Sequence, residues 1–210
     1  MSKMDKAAVI KEVLEYVKMI IVVVAVVFLI DEVVLINAKI PSASMENTIM
    51  TKNRIFGFRM AYGINFDFLG KDVYTKKLKD PERFDIIIFR YPDDESSLFI
   101  KRLIGLPGEK VMIQDGKVYI NDSQVPLPDG FIREPMRGSF GPYLVPEDCY
   151  FMLGDNRNNS KDSRYWTNTF VTFDQIVGKA IFRYFWPPKI LDDSDKWQQE
   201  YEQALAQAGQ

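Results

Sequence analysis

Two serines, two positions apart, are the first residues in this chain with chemistry to offer. In "KIPSASMENTIM", residues 39–50, Ser42 and Ser44 flank an alanine. If the stretch is extended, both hydroxyls point to the same side, because strand side chains alternate between faces. One hydroxyl can then attack while its neighbour assists. An attacking hydroxyl needs a base, and composition restricts the choice, because the 210 residues include no histidine. A Ser–His–Asp or Cys–His site is therefore excluded, together with most zinc and non-haem iron sites. The base must be a lysine, a carboxylate or an N-terminal amine.

Lys101 is the best candidate. In "SLFIKRLIGLPGEK", residues 97–110, period-two alternation puts Phe99, Lys101 and Leu103 on one face and Ile100, Arg102 and Ile104 on the other. One of the two charges then shares an apolar face. An edge-strand lysine kept for solubility is the commoner use of such a residue. A free amine, with a pKa of about 10.4, is only ~0.04% neutral at pH 7. Burial lowers a lysine by up to ~3–5 units, at a cost to the fold of about 4–7 kcal/mol. Such a lysine is kept for a purpose and needs company. "LGDNRNNSKDSRY", residues 153–165, supplies it. A polar turn after a strand has the same composition. Here, however, Asp155, Asp162, Arg157 and Arg164 are spaced for ion pairs that fix a loop, and Ser160 can hydrogen-bond a neutral amine.

The elements that must position these residues read mostly as β. "RIFGFRM", "FDIIIFRY", "LFIKRLIG", "YFML" and "GKAIFRYF" are short, β-branched or aromatic, and bounded by turn residues. "KVMIQDGKVYIN" is a hairpin around Asp115-Gly116. Residues 121–148 read as a loop-heavy insertion rich in Pro and Gly, and 60–82 as a second long connection. Near the N-terminus, "MIIVVVAVVFLI" from Met19 to Ile30 is apolar on every face. Counting from Val17 to Ile36, with Lys18 snorkelling and the Asp31–Glu32 pair near the far headgroups, predicts an uncleaved signal anchor. Lys3, Lys6, Lys11 and Lys18 precede it and keep the N-terminus cytoplasmic. Residues 2–17 extend that helix, and the C-terminal tail reads as a short surface helix or frayed end. The lone Cys149 permits no intramolecular disulfide and reads as a small buried hydrophobe. A net charge of −2 with no basic block points away from nucleic acid.

Together these stretches resemble the bacterial type I signal peptidases, membrane-anchored serine proteases of the S26 family. "SASMENT" matches the family's Ser-x-Ser-Met-x-Pro-Thr box, "KRLIGLPGE" its Lys-Arg-x-Ile-Gly-x-Pro-Gly box, and "GDNRNNSKDSR" its Gly-Asp-Asn-x-x-x-Ser-x-Asp-Ser-Arg box. "RFDIIIF" matches a weaker Arg-Gly-Asp strand box. Two positions depart: Asn47 stands for the proline, and Phe84 for the glycine of the strand box.

The resemblance implies a mainly β catalytic domain of the signal-peptidase/LexA-like β-fold. It carries a loop-rich β insertion and follows one N-terminal transmembrane helix. The divisions are a cytoplasmic segment at 1–16, the anchor at 17–36, an extracytoplasmic peptidase domain at 37–190 with about 107–148 inserted, and a tail at 191–210. Ser44 becomes the nucleophile, Lys101 the general base and Ser42 an oxyanion donor. Ser160 would orient the Lys101 amine, while Asp155, Asp162, Arg102 and Arg164 hold the site and Met45 packs behind the nucleophile. No cofactor or metal is called for. The partners are exported preproteins and the lipid bilayer, at the plasma membrane. Three other readings remain open: a LexA-like self-cleaving repressor, an inactive tethered substrate binder and an envelope scaffold.

Overall fold

A strand buried on both faces must be apolar at every position, and "IIIF" meets that demand. In the strand Ile86–Tyr91, Ile86 and Ile88 enter one apolar cluster while Ile87 and Phe89 enter another. The computed structural model describes residues 6–68, 71–184 and 187–209. Its strands are β1 Leu35–Lys39, β2 Arg54–Phe58, β3 Gly63–Phe68, β4 Lys71–Lys77, β5 Ile86–Tyr91, β6 Asp94–Gly105 and β7 Lys110–Gln114. They continue with β8 Lys117–Ile120, β9 Phe140–Leu144, β10 Cys149–Leu153, β11 Val171–Thr172, β12 Ile176–Arg183 and β13 Lys189–Ile190. Helices α1 Lys6–Leu29 and α2 Ser194–Ala208 flank them.

Among the described residues every strand pair is antiparallel. The main sheet runs β1-β2-β12-β5-β6-β10-β11, with β13 on β12, and a three-stranded sheet runs β8-β7-β9. The β5–β6 pairing sets Ile87 opposite Lys101 and Ile86 opposite Arg102. Lys101 and Arg102 therefore leave the middle of the sheet on opposite faces. Asp115 and Gly116 both have positive φ, 49° and 79°, as the two-residue turn between β7 and β8 requires. The mainly β character agrees with the sequence reading; of the stretch 121–148 read as loop-heavy, residues 121–139 are irregular and Phe140–Leu144 forms β9.

Three expectations change. The span read over 17–36 is not one helix, because α1 ends at Leu29, a π-helical turn covers Ile30–Val34, and Leu35 and Ile36 begin β1. Ile36 is drawn into a core of isoleucines, and that burial outweighs continuing the helix. Among the described residues, no helix is long and apolar enough to cross a membrane by itself. Met19 to Phe28 are nevertheless left uncovered by the rest of the chain on every face. The stretch 60–82, read as a connection, contains the β3–β4 hairpin, paired from Gly63–Lys77 to Phe68–Lys71. The tail forms a surface helix, the first of its two readings, but it is docked on the domain rather than loose. Trp197 and Tyr201, one helical turn apart, bury the inner face of α2 against Leu127, Phe131 and Val118.

Candidate active site

Ser44 sits in a tight turn, not an extended strand. Glu46 N–H donates to Ala43 O, and Ile49 N–H to Met45 O at 2.8 Å. The turn is fastened to the loop after β10: Asn156 N–H donates to Ser44 O at 3.0 Å and Asn156 Nδ2 to Ala43 O at 3.0 Å. A Cβ on Gly154 would collide with Ser44 O and with Ser160 Oγ, so only glycine permits this approach. Ser42 and Ser44 still meet, with their hydroxyls 3.3 Å apart. Met45 is fully buried behind them among Ile40, Ile49 and Ile55.

Lys101 Nζ lies 2.7 Å from Ser44 Oγ and donates to Ile100 O at 3.0 Å. Only 3% of the residue is exposed, and Phe99 places its ring 5.2 Å from the nitrogen. Burial pulls the amine from its ordinary 10.5 down to about 8, with the Asp162 and Asp155 carboxylates limiting the fall. No carboxylate among the described residues forms an ion pair with it. Beside the pair opens a cleft of about 310 Å³ with apolar walls from Pro41, Ala43, Leu98 and Ile100.

Arg102 points the other way and is fully buried. Its Nε and Nη2 grip Asp155 at 2.9 and 2.8 Å, and its Nη1 donates to Phe84 O and to Asp193 Oδ1. Burial alone would lower its pKa, but Asp155 and Asp193 more than offset that and raise it. Asp155 Oδ2 also accepts from Thr48 Oγ1 at 2.5 Å, tying this network to the Ser44 turn. Asp162 holds Arg164 through Oδ1 and Oδ2 and accepts from Gly154 N–H at 3.0 Å. Arg157, packed beside Phe131, lacks a bonded carboxylate among the described residues, and burial lowers it to about 10.

The structure thus brings together Ser42, Ser44, Lys101, Arg102, Asp155, Asp162 and Arg164. Ser160 is adjacent, yet its buried Oγ has no hydrogen-bond partner among the described residues, so the expected contact with the Lys101 amine is not made. Lys101 spends its hydrogen bonds on Ser44 and the Ile100 carbonyl instead. Asn47 has φ 93°, a value closed to proline, so the departure at that position goes with a different local backbone. Phe84 has φ 73° and fills a core, accepting left-handed strain where glycine would be free. Thr48, Gly154, Asn156 and Asp193 received no role from the sequence. The first three lie inside the quoted boxes, whereas Asp193 carries no local signal.

A family profile described as signal peptidase, peptidase S26, matches residues 13–186. A probable signal peptidase I-2 of Synechocystis sp. strain PCC 6803 is 38% identical over 166 residues, covering 75% of this chain and 67% of that protein. A signal peptidase I of Rickettsia bellii strain OSU 85-389 is 34% identical over 218 residues, covering 85% of this chain and 75% of its own. A crystal structure of a signal peptidase I from Enterococcus faecalis V583 aligns at 37% identity with a TM-score of 0.42, over 49% of this chain and 98% of that one.

Proposed function

We propose a Ser–Lys mechanism for this chain, which belongs to the peptidase S26 family and is a hydrolase of the signal peptidase I type that removes signal peptides. Neutral Lys101 takes the Ser44 proton as Oγ attacks the scissile carbonyl. The protonated amine then gives that proton to the departing amino group, leaving an acyl-enzyme. Lys101 next activates water, which releases the acid and restores Ser44. Ser42 Oγ–H and the Ser44 N–H receive the oxyanion, and each such donor is worth about 3 kcal/mol in the transition state. Asp155, Asp162, Arg102 and Arg164 keep the turn and the loop after β10 in register.

The observation that carries this reading is the 2.7 Å separation of Lys101 Nζ and Ser44 Oγ, both buried. With a pKa of about 8, roughly a quarter of the lysine is neutral at pH 7.5, against ~0.1% for a free amine. Cleavage of a preprotein by Ser44→Ala and Lys101→Ala, assayed in detergent, tests it. Both should be inactive, and near-normal cleavage by either removes the mechanism.

The uncovered apolar end of α1, continued by the turn at Ile30–Val34, serves as a membrane anchor, with the N-terminus cytoplasmic and the catalytic domain extracytoplasmic, and exported preproteins present their cleavage sites to the cleft. An apolar helix surface uncovered on all sides supports this, since only an apolar surrounding makes it stable. The basic residues before Met19 set the orientation. Alkaline extraction of membranes should leave the protein in the pellet, and its release would defeat the anchor.

A further inference from the structure

The chain after residue 186 lies beyond the family match, yet it reaches the site at two points. Asp193 occupies the N-cap position of α2 but makes no capping hydrogen bond. An aspartate there ordinarily satisfies the helix's own first N–H groups. This one accepts instead from Arg102 Nη1 at 3.0 Å, across 91 residues of sequence. Arg102 passes the hold to Asp155 through two parallel hydrogen bonds, and Asp155 passes it to Thr48, four residues after Ser44. One turn into α2, Trp197 meets the Phe131 ring edge-on, with centroids 5.3 Å apart. The Arg102 guanidinium packs 4.2 Å from that same ring, and the Phe131 carbonyl accepts from Asn47 Nδ2. Two chains of contact therefore run from α2 to the turn that carries Ser44, and they end on adjacent residues.

We propose that the segment from Asp193 to Tyr201 is a latch that positions the nucleophile turn, with Asp193 as a positioning residue for the peptidase reaction. This rests on the reading of Ser44 as nucleophile and Lys101 as base. Proton transfer across a single hydrogen bond tolerates little displacement, and a shift of about 1 Å from a remote change costs up to ~100-fold in rate. Without Asp193, Arg102 would lose one of the two carboxylates that fix its guanidinium, keeping only the Phe84 carbonyl at Nη1, and Asp155 and Thr48 would loosen with it. Asp192, the preceding residue, supplies the contrast. Its carboxylate binds Lys179 at 2.6 Å, and Lys179 pairs with Asp85, away from the Ser44 turn.

The test uses the full chain and measures kcat and KM on a preprotein, with thermal melting alongside. Asp193→Asn and Asp193→Ser both keep residues favoured at an N-cap, so α2 retains its start while the ion pair is lost. Each should lower kcat about tenfold with KM within twofold. Asp193→Glu should recover most of the rate, and Asp192→Asn should stay within twofold of the parent. The latch is overturned if both neutral variants keep parental kcat, if KM rises while kcat holds, or if Asp192→Asn loses as much. It is equally overturned if both neutral variants fail to fold while Asp193→Glu folds, since Asp193 would then be structural only. Ser44→Ala run in parallel separates the two layers. Activity in Ser44→Ala sinks the nucleophile reading, whereas an inactive Ser44→Ala beside a fully active Asp193→Asn sinks only the latch.

Discussion

Lys101 and Arg102 are neighbours on β6, both buried, and their surroundings drive them in opposite directions. Arg102 meets two carboxylates and a carbonyl and holds its proton more firmly than a free guanidinium. Lys101 meets a hydroxyl, a carbonyl and an aromatic ring, and it releases its proton more readily than a free amine. Desolvation acts on both, so the partner set decides the outcome. One strand therefore delivers a fixed cation to one face of the sheet and a titratable amine to the other.

The comparison breaks most completely if Lys101 is given its neighbour's chemistry. Lys101→Arg keeps the charge but cannot deprotonate, so single-turnover cleavage should fall on the order of 1,000-fold or more. On the other face, Arg102→Met leaves Asp155 buried without its two-pronged partner. Chemical denaturation should then show a loss of about 3–5 kcal/mol.

Lys101→Met should do the reverse. The folded chain holds this proton less tightly than the unfolded chain, so between pH 8 and 10.5 the unfolded state binds more protons and stability rises with pH. Below pH 8 the full cost of burying the ammonium is present. Removing it should stabilise the inactive protein by about 3 kcal/mol at pH 7, and the gain should vanish above pH 10.5. The smallest effect is the pH profile itself. With the parent enzyme, kcat/KM should climb about tenfold per unit below pH 8 and level off above it. A flat profile from pH 6 to 9 would detach Lys101 from the rate.

The proximity of Ser44 and Lys101, 2.7 Å apart, was partly legible from composition. With histidine absent, a lysine, a carboxylate or an N-terminal amine was left; alternation made Lys101 a candidate, and the family resemblance supplied its role. The alternation also held in detail, since Phe99 and Leu103 pack with one cluster. Strands with β-branched runs, and the Asp115-Gly116 turn, were equally open to reading. The β3–β4 hairpin was not, because charged and small residues interrupt its alternation. Asn47 is harder still: its positive φ is set by the turn around Met45 and by the distant Phe131 carbonyl. The docking of α2 escaped notice because two aromatics one turn apart make a thin stripe, yet they suffice when a ready-made pocket of apolar side chains receives them. Asp193 could not be found at all from local pattern, since its partner is 91 residues away.

The junction after α1 has a practical consequence. A five-residue π-helical turn separates the helix from β1, which pairs along its whole length with β2 and inserts Ile36 into the interior. The globular part is thus stitched to its leading rod without slack, and any rotation of the rod is felt by the edge of the sheet. A shortened chain meant to work in free solution should begin upstream of Leu35. A cut made just past it would strip the border strand from Arg54–Phe58 and open the isoleucine interior that backs Met45.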